Sequence, residues 1–531
     1  MAVNWLYILL PLAYALYAWC NDQKLKRLPP EAAAHSPERW SDKFVMETNA
    51  RVKQVEGVSL LKDSDLPPKT GRRYIVVGGA GFLGGWIVLH LIRRGEDPRR
   101  IRVLDLRKPA RQDLCEGLAA QVDFLQGDVS DAAAVEAAFQ KPWPCLPSDN
   151  PDEPLPELTV FHTVAIIRFF ERHPELMPYS ERVNTVGTQN VLDSARRAGA
   201  SAFVFTSSGS VAVQRSRFWL WPWEKEPRKF TQVINDHTVL PQCHEEFFSN
   251  YAASKLQAER LVQAADRTPS GSGQLRTGCI RPGNGIYGTG GDLLIDRMLK
   301  DGIHPSWIPG ILQSFIHAEN CSLAHLCYEQ RLIELQHCHT ASSSSPDIGG
   351  QSFCVTDAGP PCTYGDIYDA VAQVSNGGVW YIYLSATFML GLAHLVEWYY
   401  VTSQLLTLRK HPLSAFVPRM SGELVFLQPS MFALTQVHLV FDDSRARKAP
   451  EEGGLGYKGP ITTLEGTCKT VVEHVKGDRK YIGKRIYGMP EDTTRPMVGF
   501  DVNVHESAVG EVLEKLGSGL ALDLDAKKIP S

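Results

Sequence analysis

The stretch Gly78-Gly79-Ala80-Gly81-Phe82-Leu83-Gly84 constrains the fold of this chain more than any other. It follows a short apolar run, Arg73 to Val77 (RYIVV), and leads into the helical run WIVLHLIRRG, which ends at Gly95. A second apolar run, Ile101 to Asp105, comes next. Strand, glycine turn, helix and strand in that order open a parallel α/β sheet with a dinucleotide at its edge. Gly78, Gly81 and Gly84 give the spacing GxxGxxG. The first permits the tight turn, the second lets a pyrophosphate approach the backbone, and the third lets helix and strand pack closely. Phe82 and Leu83 lie inside this turn and count with the glycines as cofactor-binding residues. Asp105 ends the next strand, 21 residues beyond Gly84. A carboxylate there accepts ribose hydroxyls and repels a 2′-phosphate, which favours NAD. Arg107 and Lys108 follow closely and are suited to hold that phosphate, which keeps NADP as the alternative.

Further strands continue the pattern. Val122 to Gln126 ends in Gly127-Asp128-Val129. Asp128 is placed to take an adenine amine or to cap the helix expected over Asp131–Phe139. Leu158 to Phe161 leads into His162-Thr163-Val164-Ala165 at the carboxyl edge of the sheet. Ala202 to Phe205 runs into Thr206-Ser207-Ser208-Gly209-Ser210, and Asn250-Tyr251-Ala252-Ala253-Ser254-Lys255 starts a helix. Tyr251 and Lys255 are four residues apart and share one helical face. Removing a hydride from an alcohol requires a base for the hydroxyl proton. A phenol with a pKa of ~10 is a poor one until a nearby ammonium stabilises the phenolate. A serine hydroxyl can hold the substrate oxygen in line.

These passages resemble extended short-chain dehydrogenases. Within that group the chain is similar to the 3β-hydroxysteroid dehydrogenase family, including its sterol-4α-carboxylate 3-dehydrogenases (decarboxylating). The helix beginning Arg182-Val-Asn184, the loop Arg281-Pro282-Gly-Asn-Gly-Ile286-Tyr287-Gly288 and the turn Phe315-Ile316-His317-Ala-Glu319-Asn320 match family landmarks. So do Gly350-Gln351-Ser-Phe353 and Leu455-Gly456-Tyr457 with Pro460, and the likeness runs from about 73 to 475. The resemblance implies that Ser208 polarises the substrate and Tyr251 is the acid/base. Lys255 would set the tyrosine pKa and contact a ribose. Ser207 and Ser210 are rivals to Ser208. Val129, Ala165 and Pro282 join Asp128 as implied cofactor contacts. The chain departs from the pattern at Val77, where the family often has Thr, at Glu319, which replaces Asp, and at the glycine-rich Gly283-Asn284-Gly285. The long insertion 212–248 contains Phe218-Trp219-Leu220-Trp221-Pro222-Trp223, which reads as a substrate lid, a membrane foot or a packed loop.

Two apolar runs suggest a membrane. Val3 to Cys20 carries no charge and would span roughly 27 Å as a helix at ~1.5 Å per residue, near the ~30 Å of a bilayer core. Its start lacks the basic residues of a cleaved signal, and Lys24, Lys26 and Arg27 follow it. The positive-inside rule then faces the rest of the chain to the cytoplasm. Val379 to Val396 reads as a spanning, buried or interfacial helix. Because family landmarks continue beyond it, a monotopic contact is the preferred reading.

The expected fold is α/β: a Rossmann-type doubly wound parallel sheet with a smaller substrate lobe, from 212–248, 283–345 and beyond 350, and an N-terminal membrane helix. The expected organisation is an anchor (1–20), an arm (21–71), the dinucleotide-binding core (72–375), a membrane-contact segment (376–410), the end of the substrate lobe (411–480) and a tail (481–531). With 531 residues, 44% of them apolar, the chain can bury a large core, and a net charge of −4 gives no bias toward nucleic acid. Eleven cysteines without a CxxC pair argue against a disulfide framework or a zinc ribbon. The His337-Cys338-His339 cluster sits in a loop composition, and no metal is expected. The function expected is a membrane-associated NAD(P)-dependent 3β-hydroxysteroid or sterol dehydrogenase at the endoplasmic reticulum membrane, with decarboxylation of a 4α-carboxysterol left open. Its partners would be a sterol-like substrate and the membrane, a homo-oligomer being left open. The alternatives are a reductase or epimerase of another substrate class and a non-catalytic NAD-binding scaffold.

Overall fold

Seven short, mostly buried runs form the central sheet: β1 (Arg73–Val77), β2 (Ile101–Asp105), β3 (Asp123–Gln126), β4 (Leu158–His162), β5 (Ala200–Thr206), β6 (Arg276–Pro282) and β7 (Gln351–Val355). Residues 6–477, apart from 56, 58, 148–151, 272, 293 and 338–344, are described in a computed structural model of the chain, together with 497–499. The strand order is β7-β6-β5-β4-β1-β2-β3, and every neighbouring pair is parallel. A parallel sheet covered on both faces requires strands without an exposed side. All residues of β4 and β6 are accordingly buried.

Five helices frame the sheet and the site: α1 (Leu6–Leu25), α2 (Phe82–Arg93), α3 (Asn250–Ala264), α4 (Ala318–His337) and α5 (Ala386–Leu408). On one face of the sheet, Leu83, Ile87 and Leu91 of α2 meet Leu323 and Leu326 of α4 over Val76, Val204 and Ile280. On the other, Ala258 and Val262 of α3 pack with Val135 and Val191 over Val77, Phe203 and Phe205. The sheet is therefore doubly wound. Its order reverses between β1 and β4, which opens a crevice at the carboxyl ends of those strands.

A smaller four-stranded sheet gathers distant segments in the order Cys362–Thr363, Leu312–Gln313, His438–Phe441 and Thr231–Ile234. Leu455, Tyr457 and Ile461 then rejoin the core of the main sheet. The chain that follows the second apolar run thus packs into the same body as the chain before it.

The expected arm is ordered. Ser41 caps the helix Asp42–Lys53, whose Val45 and Val52 enter a core with Leu464 and Val471. Glu319, the departure from the family's Asp, accepts the Leu60 N–H at 3.1 Å and the Ser59 hydroxyl. Its extra methylene lets the carboxylate reach the arm.

Two expectations are corrected. Among the described residues, no helix is long and apolar enough to cross a membrane. The N-terminal membrane helix expected over 1–20 is instead a docked helix, because α1 runs on through Asn21, Asp22 and Lys24. The Asn21 side-chain amide donates to the Phe218 carbonyl and to Thr387 Oγ1, both at 2.9 Å. The Asp22 carboxylate accepts the Thr387 N–H at 2.8 Å and its hydroxyl at 2.6 Å. These buried partners draw the end of α1 onto the first turn of α5, where a carboxylate also complements the helix dipole. Secondly, the apolar run Val379–Val396 is not one helix. Trp380–Tyr383 is a strand paired with Ile303–Ser306, and α5 begins only at Ala386. Cys338 and His339 lie outside the described residues, as does the tail 481–531 apart from the strand Met497–Gly499.

Candidate active site

At the crevice lies a cleft with a cavity volume of about 460 Å³. The glycine turn forms one end, and Gly78, Gly81, Phe82, Leu83 and Gly84 all line it. Gly78 has φ = +90°, a left-handed conformation. A Cβ on Gly84 would fall 2.2 Å from the Gly78 carbonyl oxygen, so α2 touches the turn only because that side chain is absent. Gly81 is the N-cap of α2 and contributes no side-chain hydrogen bond. A backbone cradle at a helix N-terminus is an anion site.

Asp105 lines the cleft next to this turn, with Arg107 and Lys108 close by. Its carboxylate accepts the Ala80 N–H at 3.1 Å and the Arg107 N–H at 3.3 Å. Burial pushes its pKa above the usual carboxylate value, and these hydrogen bonds oppose that. Asp128, Val129, Ala165 and Pro282 complete the expected cofactor set, and all four line the same cleft. Asp128 Oδ1 accepts the Ser130 N–H at 2.8 Å. It does not cap the following helix; Asp131 does, accepting from Ala133 at 2.9 Å and Ala134 at 3.3 Å.

Ser208, Tyr251 and Lys255 stand together in the cleft. Tyr251 and Lys255 come from the first two turns of α3, which Ser249 caps by accepting the Ala252 N–H. The Lys255 ammonium donates to the Thr206 carbonyl at 2.7 Å and sits 4.1 Å from the centre of the Phe205 ring. Burial lowers its pKa to about 7, while Cys279 and Glu259 act in the opposite direction. The three strand-end serines have different partners. Ser207 donates to the buried Glu259 carboxylate, which also accepts from Arg281 Nε at 3.0 Å. Ser210 is buried. Its Oγ lies 2.7 Å from that of Ser208, and its N–H donates to Ser208 Oγ at 3.2 Å. Ser207 and Ser208 thus both line the cleft, the Ser207 hydroxyl taken by Glu259 and Ser210 lying behind Ser208.

Sequence reasoning missed two supports. Asn184 sits in a π-helical turn, Arg182–Val186. It accepts the Ile166 N–H at 2.8 Å and donates to Ser254 Oγ at 2.9 Å, tying the loop after β4 to α3. An extra residue in a helical turn leaves no periodicity signal. The pair Arg281–Glu259 joins β6 to α3 beneath Ser207, and nothing in the sequence marked Glu259 as its partner. Among the described residues, no group of three or more His, Cys, Asp or Glu is placed to hold a metal.

The profile of the 3-beta hydroxysteroid dehydrogenase/isomerase family matches residues 75–376. An Arabidopsis thaliana protein named 3beta-hydroxysteroid-dehydrogenase/decarboxylase isoform 2 is 26% identical over 421 residues, covering 76% of this chain and 62% of that relative. A Mycobacterium tuberculosis 3 beta-hydroxysteroid dehydrogenase/Delta 5-->4-isomerase is 28% identical over 304 residues, covering 56% of this chain and 68% of the relative. The chain thus spans less than two thirds of the plant relative's length. Among solved structures, UDP-glucose 4-epimerase from Bifidobacterium longum in complex with NAD+ and UDP has 16% identity and a TM-score of 0.49, covering 77% of this chain and 99% of its own. By its matched profile, the chain belongs to the 3-beta hydroxysteroid dehydrogenase/isomerase family, a family of NAD(P)-dependent oxidoreductases.

Proposed function

We propose that this protein oxidises the 3β-hydroxyl of a sterol-like alcohol to a ketone, with NAD as the hydride acceptor. The observation that carries this reading is the meeting of Ser208, Tyr251 and Lys255 in one cleft with the glycine turn and Asp105. The residues fit a dinucleotide: a cradle that a Cβ at Gly84 would fill, and a carboxylate at the end of the next strand. Asp105 supports NAD over NADP by repelling a ribose phosphate. When bound, the nicotinamide takes up the hydride that leaves the alcohol carbon. The chain's own groups handle the proton. Tyr251 oxygen removes it from the hydroxyl, and the Lys255 ammonium stabilises the phenolate that makes this feasible. Ser208 holds the substrate oxygen, its hydroxyl oriented by Ser210.

The name of the plant relative supports a finer form of the reaction. With a 4α-carboxylate on the substrate, the new ketone stands β to it. The bond to the carboxyl carbon then breaks, CO₂ leaves, and the electron pair enters an enolate that is reprotonated. No further catalytic group is required. The ten described cysteines are free thiols, which supports a reducing compartment. The cytoplasmic side of the endoplasmic reticulum membrane is the location this reading assigns.

The test compares purified wild type with Tyr251→Phe, using a 4α-carboxysterol and a plain 3β-hydroxysteroid, with NAD and NADP in parallel. We expect turnover by wild type and a loss of roughly 10²-fold or more in kcat for Tyr251→Phe, with NAD binding kept. A Tyr251→Phe variant at full rate would sink the mechanism. A wild type that binds NAD yet oxidises no 3β-hydroxysterol would sink the substrate assignment.

A further inference from the structure

Tyr251, Lys255 and Glu259 follow one another at four-residue steps along α3, so one helical face carries all three. The first two belong to the chemistry proposed above. Glu259 stands one turn further on and is fully buried. Its partners come from two strand ends. Oε2 accepts the Ser207 hydroxyl and, at 3.0 Å, Arg281 Nε; Oε1 accepts the same Nε at 3.2 Å. Ser207 directly follows β5 and lines the cleft, and Arg281 directly precedes Pro282, which lines it from β6. Lys255 and Glu259 therefore grip consecutive residues of one strand end. The ammonium takes the Thr206 carbonyl at 2.7 Å, and the carboxylate takes the Ser207 hydroxyl. The Ser207 N–H also donates to the Ile280 carbonyl at 2.7 Å. Ser208 comes next, with extended backbone at φ −157° and ψ 138°, and leaves the sheet there. The two anchored residues before it set its position.

We propose that Glu259 is a positioning residue of the active site, which keeps the Lys255 ammonium charged and, through Ser207, holds Ser208 in register. The proposal deepens the dehydrogenase reading and rests on it. A buried ion pair is by itself weak evidence for stability, since apolar residues of like volume often replace one without loss. A carboxylate beside a lysine that must stay an ammonium has a chemical use. The groups packed around Lys255 leave that use to Glu259. Cys279 faces it from β6, but burial pushes its thiol well up, so it stays protonated. His162 faces it from β4, and burial together with the Lys255 charge holds the imidazole neutral, its pKa pushed down to about 3. Tyr251, on the same helix, is the phenol that the ammonium serves. The negative charge that opposes loss of the Lys255 proton is therefore that of Glu259. Without it, Lys255 and Arg281 would be two cations in one low-dielectric core. The lysine, the more easily deprotonated of the two, would give up its proton. A neutral amine stabilises no phenolate, so Tyr251 would lose its strength as a base.

Two measurements on the full chain test the two halves. The first is urea unfolding against pH, each protein compared with its own Lys255→Met counterpart so that the difference reports Lys255 alone. In the wild type that difference shrinks as pH rises from about 7. In Glu259→Gln the shrinking should begin roughly one pH unit lower, because the folded-state pKa falls and the unfolded one does not. Where Glu259→Gln is too unstable to unfold cooperatively, Glu259→Gln/Arg281→Met carries the same comparison without an unpaired guanidinium. An onset that stays at the wild-type pH overturns the proposal. The second is the pH profile of sterol oxidation by Ser207→Ala, which keeps the Glu259–Arg281 pair. We expect kcat to fall by roughly tenfold with KM little changed and the alkaline limb in place, and Ser207→Thr, which keeps the hydroxyl, to recover most of the rate. Full kcat in Ser207→Ala overturns the positioning role. A loss as deep as that of Ser208→Ala also overturns it, by making Ser207 the substrate's own partner. A wild type that oxidises no 3β-hydroxysterol sinks the dehydrogenase reading, and the unfolding comparison, which needs no turnover, then still upholds or overturns the link between Glu259 and Lys255.

Discussion

Replacing Lys255 with Met should stabilise the cofactor-free protein while ending its turnover. Lys255 is 1% exposed, and burial lowers its pKa from 10.5 to about 7. In the unfolded chain a lysine keeps its proton to ~10.4. Below pH ~7 both states are protonated, and the folded state bears the whole penalty of a buried ammonium. Between about 7 and 10 the unfolded chain binds more protons, so stability rises with pH. At ~1.4 kcal/mol per pKa unit the full penalty is ~5 kcal/mol. Met keeps the straight apolar stem but forfeits the Thr206 hydrogen bond and the Phe205 ring contact, together worth ~2–3 kcal/mol. The net gain at pH 6 is then ~2 kcal/mol, a Tm increase of roughly 2 °C for a chain of this size. Thermal unfolding from pH 6 to 10 reads it directly, and the gain should fade as pH rises. A Met variant that is no more stable at pH 6, or whose gain ignores pH, would refute the idea that a buried cation is held here at the expense of stability.

Glu259→Gln should destabilise the protein by ~3–5 kcal/mol in urea unfolding, because it leaves the buried Arg281 guanidinium without its countercharge. Adding Arg281→Met should recover most of that loss; a single variant losing under ~1 kcal/mol contradicts the pairing. Gly84→Ala places a Cβ 2.2 Å from the Gly78 oxygen where real contacts stay beyond 3.0 Å, so the turn must move by about 0.8 Å. Calorimetry should show NAD binding weakened by roughly tenfold or more, since the anion cradle is built from that backbone. Unchanged affinity would mean the glycine turn is structural only.

Some elements are legible in the sequence because they are local. β1, the glycine turn, α2 and β2 are consecutive, so their periodicity and spacing stand in one stretch of about thirty residues. Tyr251 and Lys255 are legible as a pair because four residues bring them to one helical face. Hydropathy makes the N-terminal helix a membrane crossing because it scores a run without its partners. What holds Asn21 and Asp22 is Thr387, 365 residues from Asp22. The second run reads as one helix because nothing local shows that Trp380–Tyr383 pairs with Ile303–Ser306.

The choice among the strand-end serines shows most clearly where the two levels divide. The sequence by itself determined the dinucleotide turn, the acidic end of β2 and the tyrosine–lysine helix, since each is a short-range pattern whose geometry follows from strand or helix period. It also placed three serines at the end of β5 without ranking them by environment. Only the tertiary structure separates their environments, because the partner of Ser207 lies far along the chain. Glu259, 52 residues on, accepts the hydroxyl of Ser207, which still lines the cleft, and Ser210 is buried behind Ser208. Ser207 and Ser208 both line the cleft, and what sets their hydroxyls apart is the Glu259 contact of Ser207, a partner brought in by folding that leaves no spacing to read.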